Sequence, residues 1–229
     1  MVGDHVNLIP LNMRPRVRLV VMLSMAAVTV PAQLFAQAVI DGRVQLPKPS
    51  AASLAVPRYP NQTLQPGPAD RPAAIVYLDG SFPSAPAAGR PVKIAQKNLQ
   101  FSPGLLAIRR GTTVEFPNED DLYHNVFSYS KAKRFDLGRY RKDEKPATQL
   151  FDKTGVVRMS CEIHSHMQGV ILVLDTPYFV KTDAEGNYRL QGLPSGRHVL
   201  RVWISEKQVD ERPVDLAAGS TTRIDFPAR

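Results

Sequence analysis

The amino-acid sequence predicts an all-β protein. Short apolar runs of strand length recur along the chain, for example at residues 74–78, 113–116 and 170–174. Turn signals such as Asp79-Gly80 close these runs, as is typical of strands joined by tight turns. Beyond the N-terminal segment, no stretch repeats its apolar residues at the 3.6-residue spacing of an amphipathic helix.

Loops of contrasting composition separate the predicted strands. Residues 46–72 are rich in proline and small polar residues, which indicates an extended linker, and residues 81–90 form a second loop. Residues 170–174 are apolar throughout, so we expect a strand buried on both faces. Residues 131–145 are mostly charged with little apolar pattern, and we predict a solvated excursion there. The other predicted strands are residues 39–44, 74–78, 92–95, 99–101, 105–108, 113–116, 156–159, 178–180, 188–190, 198–204 and 221–226.

The first 38 residues have the organisation of an export signal. Arginine residues precede an uncharged run at residues 19–30, and Ala36 and Ala38 stand at the spacing of a signal cleavage site. The run is shorter than the about 20 residues that a membrane-spanning helix needs. We therefore predict a signal peptide at residues 1–38, a periplasmic location and no membrane span in the mature protein. An uncleaved membrane anchor or a frayed tail is the alternative.

Net charge and cysteine content narrow the possible partners and chemistry. The chain has a formal net charge of +8. A basic exported protein favours acidic partners or an anionic envelope surface, and export argues against nucleic acid. Cys161 is the only cysteine, so no intramolecular disulfide can form. A lone cysteine in an exported protein is a free thiol, part of an intermolecular disulfide, or a metal ligand.

Residues 160–169 have the features of a metal-binding loop. Cys161, His164 and Met167 follow the spacing Cys-x2-His-x2-Met, and a short loop can direct three such side chains at one point. A thiolate, an imidazole and a thioether favour copper over hard cations, which prefer carboxylates and carbonyls. His124 offers a fourth donor from elsewhere in the chain. Taken singly, Cys161 also fits an inert buried thiol and Met167 a core side chain.

Two segments resemble the ligand motifs of cupredoxins. Residues 161–170 are similar to the cupredoxin ligand loop, closest to the short loop of amicyanin, and residues 124–126 are similar to the upstream ligand motif. The resemblance implies a Greek-key β-sandwich at residues 92–174. It also implies one copper ion per chain, which alternates between Cu(I) and Cu(II).

The same resemblance assigns roles to individual side chains. Asn125 is expected to tie the two ligand segments together, and His164 to present an exposed ring edge through which electrons pass. His166 is interpreted as a solvent-facing neighbour, with competition for the metal as the alternative. His198 is interpreted as structural. The implied equatorial ligands are His124, Cys161 and His164, and the implied weak axial ligand is Met167.

The chain on either side of this unit resembles a second small β-sandwich. Residues 182–190 and 193–196 are similar to the transthyretin-like carboxypeptidase regulatory-like domain, and residues 41–44 and 74–78 match its opening strands. The cupredoxin unit is then an insertion, and a tandem arrangement is the alternative. Together the two units resemble the exported "methylamine utilization protein" type of cupredoxin. The predicted parts of the second sandwich are residues 39–46, 73–90 and 175–229, with the linker at 46–72.

These resemblances imply an electron carrier rather than an enzyme. Cys161 lacks the flanking histidines with which multicopper oxidases reach a second copper centre. The expected partners are redox proteins such as a c-type cytochrome or a dehydrogenase, and the oligomeric state is open. Residues 131–145 are a candidate docking surface for an acidic partner, with a solvated charged loop as the alternative. Two other functions remain: a protein that stores or delivers copper, and a structural or glycan-binding envelope module with a vestigial site.

Overall fold

The computed structural model describes residues 37–48, 66–67, 70–82, 91–206 and 208–227. These residues form strands, turns and loops without a helix, which confirms the all-β prediction. No helix that could cross a membrane is found among them. The strands are β1 (Ala38–Arg43), β2 (Ile75–Leu78), β3 (Val92–Lys93), β4 (Ala95–Lys97), β5 (Gln100–Ser102), β6 (Leu105–Arg109), β7 (Thr112–Phe116), β8 (His124–Tyr129), β9 (Arg134–Tyr140), β10 (Ala147–Phe151), β11 (Gly155–Ser160), β12 (Gln168–Leu174), β13 (Phe179–Lys181), β14 (Asn187–Leu193), β15 (Gly196–Ser205), β16 (Gln208–Leu216) and β17 (Thr221–Arg223).

Most of the predicted export signal and parts of the two predicted loops lie outside the described residues. Ala38, the last residue of the predicted export signal, opens β1 and is fully buried. The parts that lie outside the described residues are 1–36 of the signal, 49–65 and 68–69 of the linker, and 83–90 of the second loop.

The unit formed by residues 92–174, here called the central sandwich, has two main sheets. One has the strand order β6-β12-β11-β8-β9 and the other β10-β7-β3, with β4 and β5 forming a separate hairpin. Strand β7 shows the alternation that builds the core, because Thr112, Val114 and Phe116 are buried while the residues between them are half-buried. The buried apolar core is Ile94, Leu99, Phe101, Ile108, Val114, Phe116, Val126, Tyr140, Phe151, Val157, Met159, Cys161, Met167, Ile171 and Val173.

Strands from both ends of the described chain form a second unit, here called the flanking sandwich. Its sheets have the orders β14-β1-β17 and β13-β2-β15-β16. Strand β2 precedes the central sandwich in the chain and β15 follows it, yet the two pair antiparallel, with Val76 opposite Val202. The buried apolar core is Ala38, Ile40, Val44, Ala74, Val76, Leu78, Tyr188, Leu190, Leu193, Leu200, Val202, Val214, Leu216 and Phe226.

Strand β12 joins the two sandwiches. Ile171 and Val173 point into the central core, whereas Leu172 and Leu174 belong to a third apolar cluster. That cluster also contains Trp203 and two residues of β2, so it lies between the sandwiches. The prediction that residues 170–174 form a strand buried on both faces agrees with this packing.

The prediction of a solvated excursion at residues 131–145 is wrong. Residues Arg134–Tyr140 form β9, the edge strand that pairs antiparallel with β8. Phe135 and Leu137 pack against the central core, while Arg134 and Asp136 are exposed. A period of two is therefore present, but only two apolar residues carry it within a run dominated by charge.

Candidate metal centre

The topology of the central sandwich brings two distant segments together. His124 is the first residue of β8, and Cys161 directly follows β11. These strands are antiparallel neighbours, with Ser160 opposite Phe127. The start of β8 and the end of β11 therefore lie at the same end of the sheet. His164 and Met167 lie in the loop that leads from β11 into β12.

Three of the predicted ligands converge on one buried point. Cys161 Sγ lies 4.0 Å from His124 Nδ1 and 3.9 Å from His164 Nδ1, and the two ring nitrogens are 3.1 Å apart. A metal ion bonded at about 2.0 Å to nitrogen and about 2.3 Å to sulfur fits between atoms at such separations. His124, Cys161 and His164 are all buried and form a group that could hold a metal ion.

The ligand loop is closed by its own backbone. Met167 N–H donates to His164 O at 2.8 Å, and Cys161 N–H donates to Met167 O at 3.2 Å. These bonds turn the loop back on itself, so that both of its ends lie near Cys161. The Met167 side chain is 1% exposed and belongs to the same apolar cluster as Cys161.

Asn125 connects the two segments, which is the position that the predicted role requires. Its Oδ1 accepts a hydrogen bond from the backbone N–H of Glu162 at 2.8 Å. Asn125 is 1% exposed, so this bond is shielded from water. The contact fixes the residue after His124 to the residue after Cys161.

The surroundings of Cys161 favour the thiolate form. Burial alone raises the pKa of the Cys161 thiol, but the contact with His124 Nδ1 and hydrogen bonds with the backbone at Asn125, His164 and Ile163 together lower it below its usual value. A metal-binding cysteine must lose its proton, so this environment suits a ligand.

The two histidines of the group are affected in opposite directions. Burial lowers the pKa of His124, but hydrogen bonds with Asp120 and Cys161 raise it more, so the net pKa is raised. Burial, followed by the nearby charges of His124 and His166, lowers the pKa of His164 to about 4. His164 is therefore neutral at pH 7, as a metal ligand must be.

Asp120 is part of the site although it belongs to neither of the two predicted ligand segments. Its Oδ2 lies 3.0 Å from His124 Nε2, and both side chains are buried. Hydrogen bonds from His124, Leu99 and Asn98 outweigh the effect of burial and lower the pKa of the Asp120 carboxyl, so the group is ionised. The only local feature of the sequence that could have linked Asp120 to the site is its i, i+4 spacing from His124.

The prediction about the exposure of His164 is wrong, and the one about His166 holds only in part. His164 was expected to present an exposed ring edge, but only 1% of this residue is accessible. His166 was expected to face solvent, but it is half-buried and its Nε2–H donates to Leu99 O at 2.9 Å. The bond from His166 to Leu99 O links the ligand loop to the turn between β4 and β5. The structure places His198 in the flanking sandwich, where its Nε2 lies 3.1 Å from Pro194 O.

Comparison with known proteins gives copper proteins among solved structures. The sequence matches no family model and no curated protein. It is similar to the Cu-containing nitrite reductase (NirK) from Thermus scotoductus SA-01, at 29% identity over 42% of this chain and 26% of that chain, with a TM-score of 0.36. It is also similar to a novel purple cupredoxin from Nitrosopumilus maritimus, at 24% identity over 36% of this chain and 98% of that chain, with a TM-score of 0.32. A mutant of amicyanin in its Cu(I) state is 17% identical over 43% of this chain and 97% of that chain, with a TM-score of 0.34.

Proposed function

We propose that this protein is a periplasmic type 1 copper protein that carries single electrons between redox partners. The proposal rests on the buried group of His124, Cys161 and His164, whose donor atoms lie 3.1 to 4.0 Å apart. A thiolate with two imidazoles and a nearby methionine is the donor set of blue-copper electron-transfer sites. We further propose Met167 as the weak axial ligand.

The chain's own residues prepare the site before any metal binds. The lowered pKa of Cys161 favours loss of the thiol proton, and the pKa of about 4 leaves the His164 ring neutral at pH 7. The Asn125–Glu162 hydrogen bond and the strand pairing of β8 with β11 hold both segments in place. Copper bound there would supply a one-electron change of oxidation state. Rigid support from strands limits the movement of ligands that such a change requires.

Electrons are proposed to enter through the surface next to the ligands rather than through the ring of His164 itself. Tyr123 and Ile163 directly precede His124 and His164 in the chain and are 52% and 37% exposed. The Arg141 guanidinium lies 5.4 Å from the centre of the Tyr123 ring. Exposed aromatic and basic side chains favour an acidic partner such as a c-type cytochrome or a dehydrogenase.

Spectroscopy of the copper-loaded protein tests the proposed function. We expect an intense visible band from thiolate-to-Cu(II) charge transfer, one copper ion per chain, and reversible one-electron cycling. Cys161→Ser should abolish the band and His164→Gln should change it, whereas His166→Gln, the neighbouring histidine outside the group, should preserve it. A copper-loaded wild type without the band, or a Cys161→Ser variant that retains it, would contradict the proposal.

Other outcomes identify the alternative functions. Exchange of Cu(I) with a second protein in the absence of redox cycling would indicate copper storage or delivery. An unchanged phenotype after replacing His124 and Cys161 together would indicate an envelope module with a vestigial site.

The proposal also covers the domain types. We propose that the flanking sandwich is of the carboxypeptidase regulatory-like type and that the whole chain is of the exported "methylamine utilization protein" type. The central sandwich, residues 92–174, is then an insertion in the flanking one.

A further inference from the structure

We propose that Asp120 is a positioning residue that holds the His124 ring so that Nδ1 faces Cys161 and His164. The inference rests on the proposed function in one respect, namely that the group of His124, Cys161 and His164 binds copper. It adds a residue that the ligand pattern does not contain. Asp120 touches no ligand atom of this group and acts through the opposite nitrogen of the His124 ring.

Both oxygens of the Asp120 carboxylate accept hydrogen bonds from backbone N–H groups. Oδ1 accepts the backbone N–H of Asn98 at 2.7 Å, and Oδ2 accepts that of Leu99 at 2.9 Å. Oδ2 also lies 3.0 Å from His124 Nε2. The side chain is only 4% exposed, so water does not compete for these bonds. The carboxylate is therefore held in place independently of its contact with His124.

The turn that binds the carboxylate has an uncommon backbone conformation. Asn98 and Leu99 connect β4 to β5 with φ values of 53° and 56°. Positive φ is unfavourable for a bulky residue such as leucine. The Leu99 side chain is fully buried in the central core, and this burial offsets the strain. The positive-φ pair directs two consecutive N–H groups at one carboxylate.

The same turn is held from two further directions. Leu99 O accepts the Nε2–H of His166, which lies in the ligand loop. Asn98 O accepts the N–H of Gly67 at 3.0 Å, next to the buried Pro66, so residues 66–67 of the linker contact the turn. The turn therefore contacts both Asp120, which supports His124, and the loop that contains Cys161 and His164.

The geometry determines which nitrogen of His124 is available to a metal. An ionised carboxylate only accepts hydrogen bonds, so the Nε2 that faces Asp120 must carry a proton. In the neutral ring the lone pair is then on Nδ1, the atom that lies 4.0 Å from Cys161 Sγ. A carboxylate behind a metal-binding imidazole also raises the basicity of the ligand. We expect it to stabilise the more positive Cu(II) state more than Cu(I).

The tautomer of His124 can be measured in the metal-free protein. In ¹⁵N NMR spectra at alkaline pH, where the ring is neutral, we expect the His124 proton on Nε2. A proton on Nδ1 would overturn the inference whether or not the protein binds copper. Failure of the wild type to bind copper would overturn the proposed function and leave this result standing, so the two failures are distinguishable.

The matched variants Asp120→Asn and Asp121→Asn test the effect on bound copper. Both remove one negative charge, but Asp121 is 75% exposed and pairs with Lys142. We expect Asp120→Asn to weaken copper binding by about 10- to 100-fold. If Cu(II) binding loses tenfold more than Cu(I) binding, the reduction potential rises by about 59 mV.

We expect Asp121→Asn to retain wild-type affinity and potential. An Asp120→Asn protein that changes only in melting temperature would assign Asp120 a purely structural role and overturn the inference. Equal shifts of potential in the two variants would also overturn it, because they would reflect charge alone. Should Asp120→Asn fail to fold, the tautomer measurement on the wild type still decides.

Discussion

The central and flanking sandwiches have apolar cores of similar size but bury polar side chains very differently. The central core contains fifteen buried apolar residues and the flanking core fourteen. Of the eleven buried polar or charged residues in the described part of the chain, eight lie in the central sandwich and three in residues 176–210. Four of these eight, Asp120, His124, Asn125 and His164, form the candidate metal centre and its immediate support.

This difference concentrates the buried polar side chains in the unit that contains the candidate metal centre. Burying a polar group is unfavourable unless hydrogen bonds replace its contacts with water. In the flanking sandwich, Thr182 meets that condition simply by accepting the Ala74 N–H at 3.0 Å. In the central sandwich, the hydrogen bonds of Asp120 and Asn125 converge on His124 and on the loop after Cys161. The buried polar groups there form and support the candidate metal centre, whereas in the flanking sandwich they only support the fold.

The largest expected effect concerns the contact between the two sandwiches. Trp203 is 7% exposed and lies in the apolar cluster that also contains Leu172 and Leu174. Trp203→Ala should lower the free energy of unfolding by about 3–5 kcal/mol because it leaves a cavity between the units. Denaturant titration should then resolve two transitions, one for each sandwich, where the wild type has one.

The matched control is Val209→Ala. Val209 lies opposite Trp203 on β16 but is 45% exposed, so its truncation should change stability by less than about 0.5 kcal/mol. A Trp203→Ala protein with wild-type stability and one transition would mean that the contact between the sandwiches contributes little.

Acid should destabilise the metal-free central sandwich through His164. Burial and neighbouring charge lower its pKa to about 4, whereas the unfolded chain has the ordinary value of about 6.5. The unfolded state therefore binds more protons than the folded state between these pH values, so stability falls as the pH is lowered through this window. The loss attributable to His164 is about 3 kcal/mol between pH 7 and pH 4.

His164→Gln isolates this contribution because the other titrating groups remain. We expect the free energy of unfolding of the metal-free variant to fall less than that of the wild type over the same window. Urea titrations at several pH values measure the difference. Parallel pH profiles for the two proteins would contradict the buried, neutral state of His164.

Copper should stabilise the central sandwich selectively. A ligand at 100 times its dissociation constant adds about 2.7 kcal/mol to the free energy of unfolding when only the folded state binds. In Trp203→Ala, where the transitions separate, we expect Cu(I) to shift only the central one. Cys161→Ser is the control and should show no shift. Equal shifts of both transitions would show that copper acts on more than the central sandwich.

The sequence predicted the site best where its signals are local. Cys161, His164 and Met167 stand within one short loop, so their spacing alone indicated a metal. His124 is 37 residues away from Cys161, and only a resemblance to a known motif linked the two. The all-β class was equally accessible, because period-two alternation is visible in segments such as β7.

Features that depend on packing between distant segments could not be predicted. Asp120 has only the character of a turn residue until the N–H groups of Asn98 and Leu99, 22 and 21 residues away, are brought to it. The burial of His164 depends in the same way on how the folded loop is covered. Strand β9 was missed for a local reason, because charges outnumber the two apolar residues that alternate along it.

The smallest expected effect compares two buried side chains that do the same job in different sandwiches. Asn125 accepts the Glu162 N–H and Thr182 accepts the Ala74 N–H, and both side-chain acceptors are buried. Asn125→Ala and Thr182→Ala should each lower the free energy of unfolding by about 1–2 kcal/mol, because a backbone N–H loses its partner. Chemical denaturation of the metal-free proteins measures both losses.

The two variants should differ only when copper is bound. Asn125 joins the segment of His124 to that of Cys161, so its loss should change the visible band and weaken copper binding. Thr182 lies in the flanking sandwich and holds β13 against the chain before β2, so its variant should retain the wild-type spectrum and affinity. If Thr182→Ala altered the copper centre as much as Asn125→Ala, the division between a sandwich that builds a site and one that completes a fold would not hold.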